Sequence, residues 1–236
     1  MLEIRNLTKR YKGGKVAVDN LSLTVEAGDI FAFIGHNGAG KSTTIKSVVG
    51  ILEFDSGDIF IDGHSVKDEP MVCKKDLAYI PDNPDIYDHL TGIQYLNFIG
   101  DVFGVDSSTR TAKIDDYATR FDIKKNLGDM VGSYSHGMKQ KLVLISALMH
   151  SPKLLVMDEP FVGLDPKASF EVKNIMRELC KEGAAIFFST HVLEVAEKLC
   201  NKVAIIKDGK LVVCGDTESV VGSGSLESVF LKSEEV

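Results

Sequence analysis

The sequence predicts an α/β fold with three parts. These are a core of mainly parallel sheet, an antiparallel β subdomain at the front of the chain, and an inserted α-helical subdomain. Three observations carry the prediction. The apolar runs IFAFI (30–34), LLVMD (154–158) and AAIFFST (184–190) have no wet positions and alternate with segments of helical spacing. Such strands are covered by helices on both faces, which is the signature of a parallel sheet. By contrast, LEIRNLTKRY (2–11) and VAVDNLSLTVEAGD (16–29) alternate apolar and polar residues, so each has one wet face. Finally, a stretch from about residue 84 to 150 is helical throughout and interrupts the alternation.

Taken in order, the two alternating strands and IFAFI are followed by a Gly-rich turn and a helix from about Lys41 to Gly50. DIFIDG (58–63) and LAYIP (77–81) read as short strands. TGIQYLNFIGDVFG (91–104), TAKIDDYATRFDI (111–123) and KQKLVLISALMH (139–150) carry helical spacing. LLVMD is a buried strand, and PKASFEVKNIMRELCKEG (166–183) is a helix closed by Gly183. AAIFFST is a further buried strand and HVLEVAEKLC (191–200) a helix. KVAIIKDGKLVVCG (202–215) is a hairpin with Asp208-Gly209 in its turn. The tail SGSLESVFLKSEEV (223–236) reads as a loose or docked helix. No internal repeat or linker divides the chain, so residues 1–236 are expected to form one domain. Residues 1–83 and 151–220 would make the core with its β subdomain, 84–150 the helical subdomain and 221–236 a short tail.

Composition excludes several classes. The chain has 236 residues, 44% of them hydrophobic, enough for a sizeable core. Its 27 Lys+Arg against 34 Asp+Glu give a net charge of -7 with no long block of one sign. That argues against nucleic acid as the main partner, because phosphate neutralisation needs clustered Lys and Arg. The cysteines Cys73, Cys180, Cys200 and Cys214 are scattered and form no CxxC pair, as expected of reduced thiols on the cytoplasmic side. The opening MLEIRNLTKRYKGGK mixes charged and apolar residues and does not read as a signal peptide. No segment approaches the ~20 apolar residues needed to cross a bilayer. Action on a membrane is therefore expected to go through another chain.

GHNGAGKST (35–43) fits G-x-x-x-x-G-K-[ST], directly after a buried strand and at a helix start. Average composition gives a chance match in such a chain a probability of roughly 0.01. The loop Gly35, His36, Asn37, Gly38, Ala39, Gly40, Lys41, Ser42 and Thr43 is thus a candidate phosphate cradle. Its glycines let successive backbone N–H groups converge on phosphate oxygens, and the helix N-terminus adds partial positive charge. Lys41 is placed to reach the β- and γ-phosphates and Ser42 to ligate Mg²⁺. The glycine spacing does not fit a dinucleotide site. The core is accordingly that of a phosphate-loop NTPase.

LLVMDEP (154–160) brings two carboxylates out at the carboxyl edge of the sheet, beside that loop. Asp158 is placed to hold the metal's water shell, and Glu159 to accept a proton from an attacking water. FFSTH (187–191) delivers Ser189, Thr190 and His191 to the same edge. A fourth stretch stands apart. YSHGMKQK (134–141) has the character of an anion site at a helix start, yet nothing near it in sequence completes an active site.

The phosphate loop, YSHGMKQK, LLVMDEP, GLDP (163–166) and STH, in this order and spacing, resemble the ATPase subunit of ATP-binding cassette (ABC) transporters, over essentially the whole chain. The resemblance implies ATP and Mg²⁺ as ligands. Tyr11 would stack on adenine with Val18 nearby, Asp158 would be the metal-linked acid, Glu159 the general base, and His191 the γ-phosphate sensor. Ser135 and Gly137 would close over ATP held by a second subunit in a head-to-tail dimer, and Asp165 would touch that subunit. Two positions depart from the family pattern. Tyr134, His136 and Met138 replace three of the five residues of Leu-Ser-Gly-Gly-Gln, and Asp82 stands where Gln is usual. A carboxylate at 82 can still reach Mg²⁺ or water but cannot donate a hydrogen bond as an amide does.

The YSxGMKQ form resembles bacterial exporters with separate permease chains. That implies an ATPase subunit at the cytoplasmic face of the cell membrane, with a second ATPase subunit and an integral membrane permease as partners and no nucleic acid. The alternative is a soluble cassette ATPase acting on a non-membrane partner such as the ribosome. Such proteins usually carry two cassettes or a long coiled-coil insertion, and neither is present. A GTPase or small-molecule kinase leaves YSHGMKQK unexplained and lacks a guanine-reading NKxD. A non-catalytic regulator is disfavoured by Glu159 and His191.

Overall fold

The computed structural model describes residues 1–235. In chain order, β1 (Leu2–Arg10), β2 (Val16–Val25) and β3 (Ile30–Ile34) lead to α1 (Lys41–Val48), β4 (Ser56–Ile61), β5 (His64–Ser65), α2 (Pro70–Asp76) and β6 (Leu77–Ile80). Between β6 and the next strand lie α3 (Gly92–Val102), α4 (Ser107–Arg120) and α5 (His136–Leu148). The chain then alternates: β7 (Leu154–Asp158), α6 (Pro166–Lys181), β8 (Ala185–Thr190), α7 (Leu193–Leu199) and the hairpin β9 (Lys202–Lys207) and β10 (Lys210–Asp216). It closes with α8 (Thr217–Val221) and α9 (Leu226–Glu235).

The strands form two sheets. One is six-stranded in the order β10-β9-β3-β8-β7-β6, parallel except for the edge strand β10. The other is antiparallel in the order β2-β1-β4-β5. The α/β architecture read from the sequence is therefore present, with one addition. The antiparallel sheet is completed from beyond α1, since β4 pairs with β1 with Leu2 opposite Ile61 and Ile4 opposite Ile59.

β3 shows why its apolar run has no wet position. Successive side chains of a strand point to opposite faces, and here each face meets a different core. Ile30, Ala32 and Ile34 join the helices α5, α6 and α7, whereas Phe31 and Phe33 face the antiparallel sheet. Phe33 and Phe187 are both fully buried, their ring centroids 5.4 Å apart. Truncating such a residue to Ala typically costs about 3–5 kcal/mol. The three parallel strands β3, β7 and β8 are thus fixed, and their carboxyl ends make a rigid rim on which the site is built.

Two helices, α2 and α8, leave no clear signal in the sequence. α2 buries only Cys73, so it leaves no apolar periodicity, and only Pro70 at its first turn marks it. α8 is a single short turn. The tail is docked: Leu226 is fully buried, and its N–H donates to the Glu197 carboxylate of α7 (2.7 Å).

Candidate active site

The phosphate-loop segment leaves β3 at Ile34 and enters α1 at Lys41. Gly40 occupies the N-cap position with φ 115° and offers no side chain to the first amides of the helix. Those amides therefore stay available to an anion. The glycines divide the work. A Cβ at Gly40 would stand 2.4 Å from the Ala17 oxygen, and one at Gly35 would stand 2.5 Å from the Ile206 oxygen. At Gly38 a Cβ would meet nothing within 4 Å, but its φ is +85°. Gly35 and Gly40 are required for close packing, Gly38 for backbone conformation.

Lys41 is buried inside the loop. Its Nζ donates to the carbonyls of Gly35 (2.6 Å) and His36 (3.2 Å) and lies 3.8 Å from Glu159 Oε1. Burial pushes its pKa down, opposed by the negative charges of Glu159 and Asp158. A cavity of about 270 Å³ opens in front of it. Gly38, Ser42, Thr43 and Asn37 line one side, Asp82, Asp158 and Glu159 another, and Tyr11, Lys15 and Ala17 the mouth. A polyanion with its cation fits this lining, because Lys41 and the amides of the helix start stand together with the hard oxygen donors Asp82, Asp158 and Glu159.

The acidic wall is set by β7 and β8. Asp158, at the end of β7, is buried, and the Ser189 hydroxyl of β8 donates to its Oδ1 while accepting the N–H of Glu159 at 3.1 Å. One serine thereby orients both acids. Glu159 adopts φ 49°, a conformation uncommon for a residue with a side chain. Its Oε2 lies 3.0 Å from Nδ1 of His191, which is exposed just beyond β8. Asp82 and Asp158 both act on Tyr79, whose hydroxyl is pushed up to about 12, chiefly by burial and then by these two charges. Ser42, Asp82 and Asp158 offer only oxygen ligands, the donor set Mg²⁺ takes when substrate phosphates complete its shell.

Tyr11 sits at the mouth, 43% exposed, with its hydroxyl 3.3 Å from Thr43 Oγ1. Val18 corrects the sequence reading. It points into the core with Leu7 and Leu21 and is fully buried, while its neighbour Ala17 lines the cavity. Adjacent positions of a strand face opposite ways, and the register could not be read from the sequence alone. Lys15 was also missed. The backbone bond from Tyr11 N–H to Lys15 oxygen (2.9 Å) brings it to the mouth across the first hairpin.

Ser135, Gly137 and Asp165 lie outside this cavity. Ser135 is the exposed N-cap of α5 and accepts from Met138 N–H (3.3 Å). Asp165 caps α6 by accepting from Ala168 N–H (2.8 Å), and its other oxygen pairs with Lys141 at 2.6 Å. Tyr134 is buried instead of facing solvent, its hydroxyl donating to the Asn126 oxygen (2.6 Å). Separately, a groove of about 720 Å³ runs between the helical block and the core. Its floor includes Tyr79, Ile86, Ile99, Phe103 and His150, and its rim Lys74, Lys75 and Asp85.

Fold and site together define a phosphate-loop ATPase. The ABC transporter family profile matches residues 18–162, and an AAA-domain profile matches residues 129–197, overlapping the first over 129–162. Of the relatives, the ABC transporter ATP-binding protein YhcH of Bacillus subtilis is 38% identical over 214 residues, covering 90% of this chain and 68% of YhcH. The linearmycin resistance ATP-binding protein LnrL of the same organism is 33% identical, covering 91% and 69%. A solved structure of an ATP-binding subunit of an ABC transporter superposes with a TM-score of 0.95 at 31% identity, covering 99% of each chain. The chain belongs to the ABC transporter family, as an ATP-binding and ATP-hydrolysing subunit.

Proposed function

We propose that this chain is the ATP-driven motor subunit of an exporter, that two copies or close relatives close head-to-tail around two ATP, and that the closure works a separate membrane permease at the cytoplasmic face. One observation carries the reading. The chain holds a phosphate cavity complete with acids, and elsewhere, outside that cavity, an exposed capped helix start, Ser135–Gly137. A head-to-tail pair brings the second to the first.

Within the site, Lys41 and the loop amides bind the β- and γ-phosphates, and Tyr11 stacks on adenine. Ser42, with Asp158 and Asp82, would hold Mg²⁺, which would supply neutralising charge at the phosphates. Glu159 takes the proton of the attacking water, and His191 orients Glu159 and senses the γ-phosphate. Asp165 borders the partner chain. The apolar groove and the Asp82–Leu90 loop are the surface for the permease. No helix among the described residues is long and apolar enough to cross a membrane. The name of LnrL, a resistance protein, supports export as the direction.

The test is co-purification. Tagged chain drawn from membranes of its own cells should carry an integral membrane permease, and the Glu159→Gln form with ATP should run as a dimer. Recovery with ribosomes and no membrane protein would overturn the reading.

A further inference from the structure

His136 departs from the family pattern, and its ring has a definite place. It stands against Gly163, in the loop that follows Glu159. A Cβ on Gly163 would lie 2.5 Å from Cδ2 and 2.9 Å from Nε2 of His136. One residue on, a Cβ at Gly137 would lie 2.8 Å from the Gly163 oxygen. The peptide at 163, with φ +78°, is thus seated between the ring of His136 and the backbone of Gly137. A further turn along α5, Lys141 pairs with Asp165 at 2.6 Å. Gly137 and Lys141 are four apart and so share one face of the helix.

The loop on the other side of this contact is short and wound tight. Val162 N–H donates to the Glu159 oxygen (3.2 Å) and Leu164 N–H to the Phe161 oxygen (3.4 Å). Little slack separates Gly163 from Glu159, whose φ of 49° is itself imposed by its surroundings. On its opposite side His136 borders a hollow of about 370 Å³ shared with Asn83 and Asp85. The residue therefore stands between the loop assigned to the permease and the loop that carries the catalytic carboxylate.

We propose that His136 is a positioning residue that latches the Ser135–Gly137 half-site to the 160–165 loop, so that ATP gripped on one chain's signature sets that same chain's Glu159. The inference rests on the head-to-tail reading above. It makes the two ATP sites of a dimer interdependent through a contact inside each chain, and shape, not charge, carries it.

The experiment measures kcat and KM for ATP hydrolysis by the full chain, with ATP-trapped dimerisation followed separately in a Glu159→Gln background. His136→Ala is expected to lower kcat about five-fold or more, as a displacement of ~1 Å at a catalytic group costs up to ~10²-fold. KM and dimer trapping should hold within about two-fold, which separates a transition-state effect from uniform binding. His136→Phe, which keeps a planar ring, should recover most of the loss. A double-mutant cycle supplies the second measurement: Gly163→Ala should cost far more kcat beside His136 than in a His136→Gly chain. The strain of Ala at φ +78° cancels in that comparison.

Parental kcat in His136→Ala, or a Gly163→Ala effect equal in both backgrounds, overturns the latch. Loss of dimer trapping in His136→Ala also overturns it, by placing the residue in the grip itself. The head-to-tail reading fails separately, if Ser135→Arg leaves dimer trapping intact.

Discussion

Oε2 of Glu159 lies 3.0 Å from Nδ1 of His191, with Oε1 turned toward the Lys41 ammonium at 3.8 Å. The carboxylate is therefore oriented by a ring on one side and a buried cation on the other, and its backbone N–H is held by Ser189. A general base so placed contributes roughly 10²–10⁴-fold. Glu159→Gln keeps the shape and the Ser189 bond but cannot take a proton. ATP binding should persist and steady-state hydrolysis should fall by about that factor. Turnover equal to the parent would remove Glu159 from the base role.

Tyr11 is an exposed aromatic at the mouth of the cavity, steadied by Thr43 and with the Lys9 ammonium 5.8 Å from its ring centroid. Its exposure leaves a face for a purine. Stacking is worth about 1–3 kcal/mol per base, so Tyr11→Ala should weaken ATP binding roughly 5- to 150-fold. Titration of the purified variant with a fluorescent ATP analogue checks this, and a melting temperature close to the parent's shows the fold intact. An unchanged dissociation constant would assign Tyr11 to the hairpin alone.

The parts of the site that could be read from sequence are those where one residue type at one spacing has one physical use. Gly35, Gly40, Lys41 and the Asp158-Glu159 pair at a strand end are of this kind. What could not be read depended on register or on distant contacts. Val18 and Ala17 differ only in which face of β2 they occupy. The pairing of Lys141 with Asp165 joins two helices that are far apart in local pattern. The groove could not be read either, because its lining is gathered from α2, β6, α3 and α5, and α2 carries no periodic signal.

His150 lies in that groove, stacked on Phe103 with centroids 3.8 Å apart, and its Nε2 is 3.2 Å from the Leu77 oxygen. Nδ1 has no hydrogen-bond partner among the described residues. Burial pushes its pKa below the ordinary 6.5. The Leu77 bond opposes that shift, and the Lys113 charge reinforces it. The unfolded chain therefore binds a proton near pH 6.5 that the folded chain binds only at lower pH, so stability falls as pH drops through this window. His150→Phe should keep the stack and lose about 1 kcal/mol at pH 8 with the Leu77 bond. Its melting temperature should fall less between pH 7 and 5 than the parent's. Parallel pH profiles would show that His150 binds its proton equally well in the folded and the unfolded chain.

In the loop over the groove, Tyr87 is 51% exposed and meets the edge of Phe98 at 5.7 Å, while Asp85 and Ile86 line the groove itself. Charge reversal, Asp85→Lys, together with Tyr87→Ala should release the permease and abolish ATP-dependent transport. Both residues lie outside the lining of the nucleotide cavity, so ATPase activity of the isolated chain should stay within about two-fold, as for surface changes away from a site. Pull-down from membranes decides the matter. Permease recovered in parental amounts with both changes would place the contact elsewhere.

Ser135 is expected to matter only across two chains. It is exposed at the start of α5, away from the cavity, and its hydroxyl serves its own helix through Met138 N–H. A charge-assisted hydrogen bond from such a donor to phosphate is worth about 1.5–3 kcal/mol, gained only when ATP bridges the subunits. Lys41→Ala and Ser135→Arg should each be inactive alone, the first for want of a phosphate ligand and the second because Arg leaves the partner's ATP without the grip of the helix start. Mixed, they form some dimers in which one site carries both defects and the other neither. Hydrolysis should return in part, rising and then falling as the ratio of the two variants is varied, with its maximum near equal amounts. Activity that stays at the level of the separate variants at every ratio, while cross-linking shows mixed dimers present, would mean that the two chains do not share their sites in this way.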